Sequence, residues 1–166
     1  MPPQEFDMVR INDPLDAIEQ VAAINDWSFE RSGEDEITIL VSGVWADYSV
    51  SFSWMEDCQS LHLACAFDLR VPERRRLETM KLVSAINQQL IIGHFDLWFE
   101  NSAVMYRQAL PLHGGISAND SQIEYLLKNA LDACERYFQA FQFVVWAGKI
   151  APDALDSVLF ETQGEA

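Results

Sequence analysis

The sequence predicts an α+β domain of two layers, an antiparallel sheet packed on helices, in the order α-β-β-β(-β)-α-β-β-α. Three observations carry that prediction. Runs such as "WADYSVSFSWM" alternate apolar and polar residues with the period of two that a half-buried strand requires. The breaks between such runs are short and polar, as between antiparallel neighbours. Three other segments, at the start, middle and end of the chain, space their apolar residues as helices do. Helices so placed gather on one face of the sheet, which gives two layers. The 166 residues suit one domain, 1–166. Its ordered core runs from about residue 12 to about residue 150, and the tail, 151–166, forms a short helix or frays.

"NDPLDAIEQVAAIND" is the first helix. Asp13 stands as its N-cap and Pro14 suits the first helical position. Asp16 and Glu19 bring negative charge to the early turns, where the macrodipole favours it. Leu15, Ile18, Val21 and Ala22 make the apolar face. "WSFERSG" is a short strand, and "EITILVSG", rich in β-branched residues, is a second. In the third, Ala46, Tyr48, Val50, Phe52 and Trp54 face one way, and Asp47, Ser49, Ser51 and Ser53 the other. "SLHLACAFDL" sets Leu61, Leu63, Cys65 and Phe67 against His62, Ala64 and Ala66 on the opposite face.

"VPERRRLETMKLVSAINQQLIIG" is the second helix, opened by Pro72 and ended by Gly93. Its expected stripe is Leu77, Met80, Val83, Ser84, Asn87 and Leu90 or Ile91. "HFDLWFE" and "AVMYRQALPL" then form a hairpin around the turn residues "ENS", with Phe95, Leu97 and Phe99 on one side. The last helix lies in "GGISANDSQIEYLLKNALDACERYFQAFQFVVWAG". Ser117, with Asp120 three residues on, fits a capping box. Ile123, Leu126, Leu127, Ala130, Leu131, Cys134, Phe138 and Phe141 give this helix a wide apolar face.

The net charge of -15 repels phosphate backbones and anionic lipid, so nucleic acid and membrane surfaces are excluded as partners. No apolar run approaches the ~20 residues that span a bilayer. The start, "MPPQEFDMVR", has no apolar run behind a basic opening and is not a secretory signal. The expected location is the cytoplasm. Cys58, Cys65 and Cys134 are odd in number and widely spaced, which describes buried, reduced thiols rather than a disulfide framework.

The candidate chemistry is thin. Cys58, His62 and Cys65 have a loosely zinc-like spacing, but alternation in a strand turns His62 and Cys65 to opposite faces, so no metal is expected. "PLHGG" has the His-Gly-Gly of some esterase oxyanion loops without the G-x-S-x-G elbow that those enzymes need. His94 and Asp96 share a strand face with Trp98 and no nucleophile. Arg74, Arg75 and Arg76 cluster near a helix N-terminus, where cations oppose the dipole. Three consecutive helical residues spread over about 200°, so they form no single tight patch. Their two readings are local pairing with Glu73, Glu78 or a neighbouring acidic loop, and docking of an acidic partner segment. Trp98 and the off-face Leu40, Ala64 and Ala66 mark apolar surface that either binds a partner or is covered by the tail through Leu155, Val158, Leu159 and Phe160.

One block points to a family. Asn87 lies late in the second helix. A Gly-led strand ("GHFDLWF") follows, then a turn, then a strand ending in an Arg and Leu-Pro-Leu ("VMYRQALPL"), and then a Ser-capped helix ("GGISANDSQIEYLL"). This block, 87–127, resembles the YbjN family of bacterial sensory transduction regulators. The family often has a turn such as Asp-Gly where this chain has "ENS". The resemblance implies the fold of type III secretion chaperones, which act as homodimers and bind protein segments. It implies no cofactor and no catalytic residue. The expected function is therefore a non-enzymatic, chaperone-like protein-binding or regulatory module, with Trp98, Arg74, Arg75 and Arg76 as candidate partner-binding residues. The alternative is a small-ligand sensor or an unrecognised enzyme using a pocket between sheet and helices.

Overall fold

The computed structural model describes residues 13–164, with side chains through Leu159. The stretch read for a leader, residues 1–10, and the Phe160 side chain lie outside these described residues. The elements are α1 (Pro14–Ile24), β1 (Ser28–Arg31), β2 (Glu36–Ser42), β3 (Asp47–Met55), β4 (Ser60–Arg70), α2 (Arg76–Asn87), β5 (His94–Trp98), β6 (Ala103–Pro111), α3 (Asp120–Val145) and α4 (Ala151–Gly164). The six strands form one sheet in the order β1-β2-β3-β4-β6-β5, antiparallel at every pairing. This is the α+β architecture that the sequence predicts.

Alternation decides which sheet face is buried. Ile37, Ile39, Tyr48, Val50, Phe52, Leu61, Leu63, Cys65, Val104 and Tyr106 point into one core with the apolar faces of the helices. Phe67 sits at its centre, its ring 5.2 Å from Phe138, 5.5 Å from Phe141 and 5.8 Å from Phe95, edge-on or tilted as aromatic quadrupoles prefer. The helices pack on this side alone. The opposite face, with Ser49, Ser51, Ser53, Ala64 and Ala66 at its middle, is left bare among the described residues.

α1 follows the sequence closely. The Asp13 side chain accepts the Leu15 N–H, and Leu15, Ile18, Val21 and Ala22 are buried. Three expectations are corrected. First, the buried stripe of α2 is Thr79, Leu82 and Ile86, while Leu77 and Met80 are exposed and Ile91 lies beyond the helix, fully exposed. The Thr79 hydroxyl donates to the Arg75 carbonyl at 2.8 Å, which satisfies it inside the core. A pattern that counts only apolar residues skips this threonine and selects the neighbouring stripe. Second, α3 begins two residues later than expected. Its cap is Asn119, whose side chain accepts the Gln122 N–H while the Gln122 side chain accepts the Asn119 N–H. Third, Cys58 is exposed in a 3-10 turn, Glu56–Cys58, whereas Cys65 and Cys134 are buried.

The tail is a helix. Ala151, Ala154, Leu155 and Val158 of α4 are buried, and the helix packs against α3 and α2. Its first N–H, at Ala151, is taken by the Glu78 carboxylate at 3.0 Å. Leu155 and Val158 therefore serve the helical layer and not the bare sheet face.

Candidate functional site

β5 is an edge strand, and edge strands present unpaired peptide groups. Asn87, the last residue of α2, closes part of that edge. Its Oδ1 accepts the Phe95 N–H at 2.8 Å and its Nδ2 donates to the Phe95 carbonyl at 3.0 Å, as a neighbouring strand would. Phe95 thus turns its peptide groups away from β6, although it stands opposite Tyr106 in register. Antiparallel pairs alternate, so Leu97, two residues on, also turns its N–H and C=O outward.

That open edge faces a groove of about 570 Å³, between Met80, Val83 and Ser84 of α2 and Asp96, Leu97 and Phe99 at β5. Of its lining, Met80 and Phe99 are large apolar side chains 44% and 50% exposed. Gly93 sets the approach of the chain to β5. It has φ +72°, and a Cβ there would collide with the Tyr106 hydroxyl, which donates to Gln108 Oε1 at 2.7 Å and also lies 3.1 Å from the Ile92 carbonyl. Asn129 of α3 donates to both Tyr106 and Gln108, so the buried polar atoms beneath the groove are partnered. Burial pushes the Tyr106 hydroxyl well above its usual range.

The three arginines point to three places. Arg75 reaches the end of α3, with Nε on the Val144 carbonyl and Nη2 on the Lys149 carbonyl, both at 2.7 Å. Those are the last carbonyls of a helix and its exit turn, where a cation also meets the negative end of the dipole. Arg76 lies over the Phe99 ring, 4.7 Å from its centroid, at the groove. Arg74 is exposed and lines a separate depression with Arg70, Pro72 and Trp146. Trp98 is 39% exposed on the bare sheet face, so it shares neither surface with Arg74 or Arg75.

On that bare face Trp98 belongs to another group. Arg107 of β6 stands opposite His94 of β5. Its Nε donates to His62 Nε2 at 3.1 Å, its Nη1 lies 3.4 Å from Asp96 Oδ2, and its guanidinium carbon is 5.5 Å from the Trp98 ring centroid. Trp98 Nε1 donates to the same Asp96 oxygen at 3.3 Å. Burial, then Arg107, then His94 hold the His62 imidazole below its usual pKa, so it accepts from Arg107 as a neutral ring. His62 thus faces away from Cys65, which packs in the core by Cys134, and from Cys58 in its turn. The three do not converge as metal ligands. His113 is exposed in the turn before α3. Sequence reasoning marked Arg107 only as part of the family block and did not join it to His62, His94, Asp96 and Trp98, because these come from strands whose order the sequence does not state.

A fourth feature joins distant segments. Glu135 of α3 receives the N–H groups of Val44 and Trp45 on its two carboxylate oxygens, and so shapes the β2–β3 turn. Gly43 makes the approach possible, since a Cβ there would strike Glu135. The Tyr48 hydroxyl is buried beside it, and its pKa is driven up by burial and then by the Glu135 carboxylate.

Taken together, these features define a two-layer α+β domain with an open antiparallel sheet, one face under helices and the other bare among the described residues, and a groove at its β5 edge. The chain belongs to the YbjN family: the model of that family, described as "Putative bacterial sensory transduction regulator", matches residues 14–143. The description is that of a regulator. The crystal structure of YbjN from E. coli, described as a putative transcription regulator, is similar to this chain with a TM-score of 0.53 and 13% sequence identity, over 73% of this chain and 85% of that one. At that identity the likeness shows the shared fold. No curated protein matches the chain. No helix among the described residues is long and apolar enough to cross a membrane.

Proposed function

We propose that this chain is a non-enzymatic, chaperone-like protein-binding module of a regulatory system, cytoplasmic and homodimeric, which takes a segment of a partner protein into the groove between α2 and β5. The observation that carries the reading is the pair of exposed apolar side chains, Met80 and Phe99, lining a groove beside an edge strand whose Leu97 peptide groups face out. Groove volume falls within the ~300–1,000 Å³ of typical ligand sites. Arg76, stacked on Phe99, is the one arginine of the cluster at the rim, and it supplies a cation to steer an acidic residue of the segment. Trp98, on the other face, is the anchor for a larger partner that wraps the β5 edge.

The test is affinity capture from the native host with the tagged full chain and with two variants, Met80→Asp and Phe99→Asp. The expected result is one partner held at stoichiometric level by the parent and lost by both variants at unchanged melting temperature. A partner retained by both variants would remove the groove from the reading. Light scattering tests the dimer separately, and monomer mass at micromolar and higher concentrations would eliminate it.

A further inference from the structure

We propose that Arg107 and its neighbours on the bare sheet face form a recognition site for a small oxyanion, a carboxylate- or phosphate-bearing metabolite. The site lies on the bare sheet face, meets the groove at Asp96, and does not depend on the protein-binding reading. Five side chains from three strands meet there: His62 of β4, Arg107 of β6, and His94, Asp96 and Trp98 of β5. The register brings them together, because β6 lies between β4 and β5 and sets Arg107 opposite both Ala64 and His94.

The guanidinium is the hub. It has five N–H donors in one plane. The bond to His62 uses Nε, and the longer contact to Asp96 uses one hydrogen of Nη1. Three donors remain, on Nη1 and Nη2, the pair that grips a carboxylate or phosphate side by side. The Arg107 side chain is 32% exposed, so solvent and solutes reach it. Stacking on Trp98 and the bond to His62 fix the plane of the fork, which lowers the entropy lost on binding.

Charge favours an anion here despite the acidity of the chain. The outward positions of the central strands carry no acid from Ser49 through Ala66 to Met105, nor from Ser53 through His62 to Ala109. Acids lie at the margins: Glu30 of β1, Glu36 of β2, bonded to the Ser53 hydroxyl, Asp47 and Asp68 at strand ends, and Asp96 itself. Two imidazoles flank the fork, His62 bonded to Arg107 Nε and His94 opposite Arg107 in register, and neither brings negative charge to it. Asp96 is the internal competitor. Its distance of 3.4 Å is long for a charge-assisted bond, which leaves the guanidinium open to a better acceptor.

The experiment is isothermal titration of the full chain at low ionic strength with two probes, inorganic phosphate and citrate, whose comparison separates the phosphate source from the carboxylate source. Saturable binding of at least one probe is expected. Arg107→Gln should weaken it by about tenfold or more, the loss expected of hydrogen bonds to a charged group. Arg107→Lys keeps the charge, loses the fork and should weaken it nearly as much. Asp96→Asn removes the competing carboxylate and should strengthen it several-fold, a gain that a purely structural ion pair does not produce. Arg136→Gln, on the α3 surface, is the control and should change nothing. Absence of binding by both probes at millimolar concentration overturns the proposal. So does an Asp96→Asn variant of unchanged affinity in a protein whose melting shows it folded.

Discussion

Replacing Asn87 with alanine isolates the device that closes the β5 edge. The substitution removes the 2.8 Å bond from the Phe95 N–H and the 3.0 Å bond to the Phe95 carbonyl, and leaves the rest of α2 intact. Each net bond is worth about 0.5–1.5 kcal/mol, so the pair amounts to about 2 kcal/mol. Alanine has the better helix propensity, which returns a few tenths of a kcal/mol at most for a residue in the last helical position. For a chain of this length, about 2 kcal/mol lowers the melting temperature by about 4–8 °C. Calorimetry gives the shift, and amide hydrogen exchange gives its location: the Phe95 N–H should lose protection while that of Ile39, at the far side of the sheet, keeps it. Asn87→Asp sharpens the test. A carboxylate still accepts from the Phe95 N–H but faces the Phe95 carbonyl without a donor, so it should restore only part of the loss. If Asn87→Ala melts with the parent and the Phe95 amide stays protected, the edge is closed by something other than the Asn87 amide, and the reasoning fails.

Three further outcomes follow from the same structure. Arg75→Ala removes two bonds to the carbonyls of Val144 and Lys149 and should lower stability by about 1–3 kcal/mol, most of it kept in high salt because the acceptors are uncharged and only the helix-dipole part is screened; a melting temperature equal to the parent's would contradict this. Gly93→Ala combines a positive φ, about 1–2 kcal/mol, with a collision against Tyr106, about 1–3 kcal/mol, whereas Gly148→Ala, at φ +71° with open space around it, should show only the first term; equal losses in denaturant titration would refute the contrast. His62 is held below its ordinary pKa of about 6.5, so as pH falls from there the unfolded chain binds its proton first. Stability should therefore be flat in this respect above about pH 6.5 and decline as pH falls through the folded value, and His62→Gln should make that decline shallower.

Much of the fold is legible because local rules and tertiary needs agree. Asp13 and Pro14 start α1 where capping chemistry says they should, and the serines of β3 alternate with Tyr48, Val50 and Phe52 because one face is bare and the other packed. The rules fail where a polar side chain is satisfied by tertiary structure. Thr79 is buried through a bond to its own helix, which hides the true face of α2. Asn119 and Gln122 form the cap that Ser117 and Asp120 also fit, and the backbone decides between them. Trp98 and the arginines 74–76 are visible as unusual residues, yet their destinations are set by partners far along the chain: Val144 and Lys149 for Arg75, Arg107 for Trp98. The Arg107 group stays hidden for a topological reason. β4 and β5 carry its flanking residues, and only the insertion of β6 between them makes those residues neighbours.

The turn between β2 and β3 takes its shape from a carboxylate 91 residues further along the chain. A hairpin is ordinarily among the first units to close, since its contacts are local. Here the strands can pair early and the Gly43 N–H can close on the Ala46 carbonyl, but the Val44 and Trp45 N–H groups lack their acceptor until Glu135 has been made. At synthesis rates of about 5–20 residues per second, that interval is about 5–18 s. Val44 and Trp45 therefore leave the ribosome well ahead of the side chain that orders them, and the turn is completed only when α3 docks. A ribosome stalled before residue 135 would carry a paired β2–β3 hairpin whose tip is still searching for its form.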